Sequence, residues 1–260
     1  MKKTMLCGLL AAAALCLPVE AARHVPVQVD GILLEGTSYL EEGVTYAPLR
    51  SLLETMGGWE VYWDSTTRTA AAHSKNASLV ADPAANTITV NGEIHPAEVA
   101  VVDGRTYVPL RLTAEALGGA AGWDPWLGGA AVTSPRAEHD ASDLYWLSRI
   151  IYAESGAEPL EGQIAVGNVV LNRVESEDFP DSIPAVVFDC GTAVQFEPVA
   201  NGTIYQEPSE QAVEAARRVL AGENTAGDAL YFYAPALSQG AWINESRAYR
   251  QTIGCHRFYS

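Results

Sequence analysis

Leu147-Ser-Arg-Ile-Ile-Tyr-Ala-Glu-Ser-Gly-Ala-Glu-Pro-Leu-Glu-Gly-Gln-Ile-Ala-Val-Gly-Asn-Val-Val-Leu-Asn-Arg-Val174 reads as two helices with a sharp break between them. Within it, Glu154 is a carboxylate in an uncomfortable place. Leu147, Ile150 and Ile151 stand seven, four and three positions before it, so on a helix Glu154 continues an apolar stripe. Gly156 follows as an expected left-handed stop. That puts the carboxylate in the last turn, where the negative end of the helix dipole adds to the cost of burying charge. Both effects raise a carboxyl pKa, and an acid kept protonated near neutral pH is what attack on a glycosidic bond requires. A helix-end Glu bent out to water fits the same residues, and the pattern leaves both readings open. Past the break, Pro159 and Glu161 suit the first turn of a second helix, and Ile164 to Leu171 is apolar on nearly every side, as in a central buried helix. Asn172-Arg173 closes that helix, either as a capping device or as part of a ligand cleft.

Working backwards, residues 24–134 carry strand and hairpin signals. Val25, Val27 and Val29 alternate before Asp30-Gly31, and Thr87 to Val90 runs into Asn91-Gly92. This half also repeats itself. Gly43-Val-Thr-Tyr-Ala-Pro-Leu-Arg50, then Gly57-Gly58 and Trp63-Asp64, recurs 61 residues later as Gly104-Arg-Thr-Tyr-Val-Pro-Leu-Arg111, Gly118-Gly119 and Trp123-Asp124, one residue shorter before the second Trp-Asp. Pro at a helix start and a Gly pair at its end are backbone requirements, so the repeat is expected to be scaffold. The polar stretch 135–141 is the expected linker, and residues 142–260 form the second domain. The fold class predicted is α+β in two domains, a β-rich N-terminal one followed by a helix-containing one.

At the other end, Lys2-Lys3, an apolar run from Met5 to Leu17 and Val19-Glu20-Ala21 predict a secretory signal over residues 1–21. Its removal would take Cys7 and Cys16 away and move the formal charge from −16 to −17. An acidic surface repels nucleic acid and anionic lipid, and after the signal there is no second run of about 20 apolar residues to span a membrane. The expected location is extracellular or wall-associated. Cys190 and Cys255 then remain in an oxidising setting, where one disulfide is the default expectation. His24, His73 and His95 are scattered without ligand spacing, so neither a metal nor any other cofactor is expected.

Two resemblances sharpen this. The repeated Tyr-x-Pro-Leu-Arg with Gly-Gly and Trp-Asp resembles the stalk-like N-terminal domain of copper amine oxidases, which implies a spacing module or one that contacts the wall or a partner protein. The stretch 147–174 resembles the spore cortex-lytic, SleB-like cell wall hydrolases. That likeness continues through Phe179-Pro180, Gln195-Phe196, Pro198-Val199, Asn201-Gly202, Ala229 to Tyr233, Trp242-Ile243, Ile253-Gly254, His256 and Phe258-Tyr259. It implies a lysozyme-like or lytic-transglycosylase-like fold that cleaves peptidoglycan glycan strands between N-acetylmuramic acid and N-acetylglucosamine, with the family's catalytic glutamate on Glu154. Ser155-Gly156-Ala157 stands where many relatives have Ala-Arg-Gly.

A single acid that later takes back the proton of the muramic C6 hydroxyl would give 1,6-anhydro ends, whereas plain hydrolysis normally uses two carboxyls. Glu197 is the first candidate for a second carboxylate; Glu158 and Glu161 read better as helix-start scaffold. Gln195, Tyr231, Tyr233 and Trp242 are the expected sugar contacts, since aromatic faces and amides match sugar CH patches and hydroxyls, and Asn172 is a further candidate. Trp146 is expected in the core. Two other functions stay in view: a cysteine peptidase on peptidoglycan stems pairing Cys190 with His256, and a wall-binding protein without turnover.

Overall fold

A computed structural model describes residues 22–191, 195–237 and 240–260. The expected signal segment 1–21, with Cys7 and Cys16, lies outside them. The chain is α+β, with a β-rich N-terminal part and a C-terminal part built mainly of helices.

The N-terminal part is assembled from the repeat. A five-stranded sheet runs in the order Arg23–Val25, Ser38–Glu41, Val44–Pro48, Arg105–Pro109, Ala100–Val102. Its third and fourth strands, the middle two once the extra edge strand Arg23–Val25 is set aside, are the same segment from the two copies. They pair antiparallel with Tyr107 opposite Pro48, Val108 opposite Ala47 and Pro109 opposite Tyr46, so a local twofold axis passes through the Ala47–Val108 pair. Each middle strand leads into a helix, α1 (Leu49–Met56) or α2 (Leu110–Ala116), whose N-cap is the repeated proline. Leu49, Leu52, Leu53, Leu110 and Ala114 are buried, each large side chain contributing about 1.5–3 kcal/mol of apolar burial. The same holds for Tyr46 and Tyr107. Tyrosine, proline and leucine of the repeat are therefore scaffold, whereas Arg50 and Arg111 are exposed.

Each helix returns to a second sheet through the Trp-Asp strand. Trp59–Asp64 forms an edge of a five-stranded sheet, and Ala120–Asp124 an edge of a four-stranded sheet that also takes in Gly129–Thr133, Val27–Val29 and Ile32–Leu33. The tight turns fall where expected: Asp30 and Asn91 take φ near +50° and are followed by glycines at positive φ. The early valines do not form one strand. Pro26, which has no N–H to give a ladder, breaks the run, so Val25 ends a strand of the first sheet and Val27 begins one of the third.

The repeated aspartates cap turns. Asp64 Oδ1 accepts from the N–H groups of Thr66 and Thr67 at 2.8 and 3.3 Å, and Asp124 Oδ1 accepts from Trp126 and Leu127, both at 3.0 Å. Asp124 goes further. Its Oδ2 accepts from Trp146 Nε1 and from Ser142 Oγ, each at 2.8 Å, which ties the N-terminal part to the first helix of the C-terminal part. Between them, residues 134–141 are held at both ends. The Ser134 N–H donates to Asp30 Oδ1 at 2.8 Å, and Asp140 accepts from the N–H groups of Ser142 and Asp143, capping the next helix.

That helix is α3 (Ala141–Ser155), followed by α4 (Leu160–Val174), α5 (Ile183–Val187), α6 (Glu197–Asn201), α7 (Glu210–Leu220) and α8 (Ala241–Ser246). Residues 162–170 of α4 are all buried, as its all-round apolar character predicts. Gly167 is what lets it sit there: a Cβ at this position would stand 2.8 Å from Ile151 Cδ1 and 2.9 Å from Val219 Cγ2, so its absence allows α3, α4 and α7 to close on one another. Trp146 is fully buried, edge-on to Tyr145 and Phe188, as expected of a core residue. A three-stranded antiparallel sheet, Tyr231–Tyr233, His256–Tyr259 and Tyr249–Ile253, packs on the other side of α4 through Phe258 and Ile253. No helix among the described residues is long and apolar enough to cross a membrane.

Candidate active site

Glu154 lies in the last turn of α3, half-buried, above Leu147, Ile150 and Ile151, none of which is exposed. The expected stop at Gly156 is made differently. Gly156 has φ −59°, in the right-handed region, and its need for glycine is steric: a Cβ would stand 2.6 Å from the Tyr152 carbonyl oxygen. Burial raises the Glu154 carboxyl most, the charge of Glu197 raises it further, and Arg173 pulls the other way, leaving the pKa at about 7.

Two charged side chains act on this acid, and an aromatic strand lies against one of them. Arg173, in the last turn of α4, is buried and donates from Nε to the Leu230 carbonyl at 2.8 Å. Its guanidinium carbon lies 5.0 Å from the ring centres of both Phe179 and Phe196 and 5.6 Å from that of Tyr231. Its Nη1 is buried without a hydrogen-bond partner, and burial brings its pKa down to about 10 against the pull of Tyr231, Asp189 and Glu154. Glu197 opens α6, exposed. Tyr231 and Tyr233 point to one face of their strand, and Phe232 between them packs on the core beside His256 and Phe258. All three residues are half-buried.

From there an aromatic and cationic strip runs outward. Tyr231 meets Trp242 edge-on at 5.8 Å, and the Arg247 guanidinium stands 4.4 Å from the Tyr231 ring centre and 5.2 Å from that of Trp242. Trp242 is 58% exposed, a large apolar surface for a residue on so short a helix. Tyr233 stacks on Tyr259 at 5.9 Å, and its hydroxyl exchanges hydrogen bonds with the Asn244 amide, so it holds α8 and with it Trp242.

Other expected site residues lie on α4, in loops and on the last strand. Asn172 uses its amide N–H groups on the carbonyls of Gly227 and Ala229, both at 2.8 Å, and so fastens a loop. Gln195 is half-buried in the loop ahead of α6, its backbone N–H on the Asp189 carbonyl at 3.3 Å. Glu158 is buried scaffold: its Oε2 accepts from the Cys255 N–H at 2.9 Å and its Oε1 lies 3.8 Å from His256 Nδ1. Glu161 is an exposed residue in the first turn of α4. The expected disulfide is not made; Cys190 and Cys255 are free, exposed thiols on separate turns. His256 faces Phe232 and Glu158, and burial lowers its pKa. Sequence reasoning left Arg173 open between a helix cap and a cleft residue; the groups it did not place at the site are Phe179 and Phe196, which cage that guanidinium, and Arg247. These residues belong to different elements, and no spacing announces their meeting.

The cell wall hydrolase family model matches residues 157–259, and the copper amine oxidase N-terminal domain model matches residues 28–127. The cell wall hydrolase CwlJ of Oceanobacillus iheyensis is 31% identical over 104 residues, 38% of this chain and 72% of that protein. The chain belongs to the cell wall hydrolase family. A spore cortex-lytic enzyme of Halalkalibacterium halodurans is 36% identical to it over 126 residues, 48% of this chain and 37% of the relative's length. The catalytic domain of the germination-specific lytic transglycosylase SleB from Bacillus anthracis is 35% identical over 47% of this chain and 98% of that domain, with a TM-score of 0.43. The chain thus spans well under half the length of the spore cortex-lytic relative it matches. Glu154 lies three residues before the first residue matched by the cell wall hydrolase model.

Proposed function

We propose that this chain cleaves the glycan strands of peptidoglycan between N-acetylmuramic acid and N-acetylglucosamine, as a lytic transglycosylase exported to the cell wall. The observation that carries this reading is Glu154 itself, an acid at the end of a buried helix with its pKa raised to about 7, so that it is largely protonated below neutrality. A sugar laid along Tyr231 and Trp242 would have apolar ring faces to stack on. Protonated Glu154 donates to the bridging oxygen, and the bond to the muramic C1 breaks as that ring becomes oxocarbenium-like. The resulting carboxylate then takes the proton of the C6 hydroxyl, whose oxygen closes on C1. Glu154 ends protonated and the product carries a 1,6-anhydro ring. In this cycle Glu197 acts through its charge, keeping Glu154 protonated before the reaction and favouring the cation that forms during it.

Mass spectrometry of digested peptidoglycan tests the route. Anhydromuramic ends that disappear in Glu154→Gln are the expected outcome; reducing muramic ends alone would replace transglycosylation with two-carboxylate hydrolysis through Glu197. The cysteine peptidase reading loses ground to geometry, since His256 is engaged with Phe232 and Glu158. Full lysis by Cys190→Ala is the outcome expected here.

A further inference from the structure

The fold does not use everything the repeat preserves. Its tyrosines, prolines and leucines are buried and its aspartates cap turns, but its arginines and tryptophans do neither. Trp63 is 46% exposed and Trp123 42%. Both pairs line clefts, and the two clefts are the same place in the two copies. Each is walled by the Pro-Leu-Arg helix start and the Trp strand of one copy and closed by the Gly-x-Thr strand of the other, as the local twofold requires. They differ in what fills them. The cleft beside Arg50 and Trp63 holds Tyr62 and Arg105 and has a volume of about 310 Å³. The one beside Arg111 and Trp123 has Gly122 and Val44 at the matching positions and a volume of about 1030 Å³. A Cβ on Gly122 would meet nothing within 4 Å, so the second copy has room for a side chain that it lacks.

We infer that this open cleft, floored by Trp123 and flanked by Arg111, binds a glycan strand of the wall and holds the chain on its insoluble substrate. Its volume is at the upper limit of small-molecule pockets, about 300–1000 Å³, which suits a run of sugar rings better than a single compact ligand. The indole is partly exposed, with the Arg23 guanidinium carbon 5.7 Å from its ring centre, and it offers apolar ring surface and a neighbouring donor to a sugar's CH patches and hydroxyls. Its lining includes two arginines, Arg23 and Arg111, and two glutamates, Glu98 and Glu115, so the rim is balanced in charge within a chain of formal charge −16. Such a rim supplies donors and acceptors to hydroxyl and amide groups and gives no seat to a polyanion. Glu98 is already oriented, accepting from the Tyr46 hydroxyl at 3.2 Å. The choice of peptidoglycan as the glycan rests on the proposed activity of the C-terminal part. Retention on the polymer would raise the effective concentration of Glu154 at its bonds without adding a catalytic group.

The test is co-sedimentation of the full chain with purified peptidoglycan sacculi, in a Glu154→Gln background so that the polymer stays intact. Adding Trp123→Ala or Gly122→Tyr, the latter filling the cleft as Tyr62 fills its twin, is expected to weaken retention about tenfold or more, whereas Trp63→Ala leaves it unchanged. Gly122→Tyr carries the result if Trp123→Ala melts early. Retention within twofold of the parent in Gly122→Tyr, or a parent that does not sediment with sacculi, overturns the inference. The catalytic reading is judged separately, by lysis with Glu154 intact. Trp123-dependent retention without lysis would leave this site standing and remove the other.

Discussion

Burial and a neighbouring negative charge act on Glu154 in the same direction, and this gives its titration a consequence for stability as well as for chemistry. Its carboxyl holds a proton up to about pH 7 in the folded chain and only to about 4.5 in an ordinary carboxyl. Between those values the folded state binds more protons than the unfolded one, so Glu154 lowers stability as pH rises through that window. The full penalty above pH 7 is bounded at about 3 kcal/mol and is smaller for a half-buried group. Glu154→Gln removes this slope. Melting both proteins at pH 5 and pH 8 should show the variant gaining on the parent at the higher pH, and equal changes in the two would refute a raised pKa. The same variant should lose about 10²–10⁴-fold of wall lysis. Glu197→Gln separates charge from chemistry. With one negative charge fewer beside it, Glu154 should titrate lower, and the alkaline limb of the lysis–pH profile should move down while activity at pH 5 persists. Loss of activity at every pH, as deep as in Glu154→Gln, would make Glu197 a second reacting carboxylate.

Among the elements, those most legible in the sequence are the ones whose residues answer to backbone rules. Asp-Gly and Asn-Gly turns, prolines at the starts of α1 and α2, the apolar run of α4 and the alternation of Tyr231 with Tyr233 are each readable within a few residues. Helix α7 follows the same rules, with Ser209 capping and Ala212, Ala215, Ala216 and Val219 buried, although no expectation above named it. In contrast, α5 and α6 are five residues each, too short for a period to show. Tertiary partnership is the least visible layer. Glu158 reads locally as a helix-start acid, yet it spends its carboxylate on the turn between the last two strands, where Gly254 at φ +57° leaves room that a side chain would take from Glu158 Oε2. The hydrogen bond and charge of Glu158 raise the Cys255 thiol. Glu158→Ala should therefore cost about 1–3 kcal/mol, for the unpaired Cys255 N–H, and lower the thiol pKa. Alkylation of Cys255 at pH 8 should accelerate relative to Cys190 in the same molecule. An unchanged ratio of the two thiols by peptide mass spectrometry would show that Glu158 does not hold this turn.

At the scale of the whole molecule, one carboxylate of the repeat couples two parts that family models match separately. Asp64 and Asp124 are the same residue of the two copies, and both cap their turns. Asp124 is in addition buried at 3% exposure, with Trp146 Nε1 and Ser142 Oγ on its second oxygen, while the turn it caps sends Trp126 to stack on Phe188 at 6.0 Å. The N-terminal part therefore grips α3 near its start, and Glu154 lies at the other end of that helix. A glycan held over Trp123 would sit one residue from the residue that makes the grip. Removing Asp124 leaves the buried Trp146 N–H without its acceptor and frees the Trp126 turn. Asp124→Ala should destabilise by about 3 kcal/mol. The form of unfolding discriminates this from an ordinary core lesion. If Asp124 joins the two parts into one cooperative unit, calorimetry of the parent gives a single transition, whereas Asp124→Ala splits it into two. Trp146→Phe, which removes one donor and keeps a ring in the core, should lower the melting temperature less and broaden the transition. A parent that already unfolds in two separate steps would show that the parts are independent and that Asp124 serves its own turn alone.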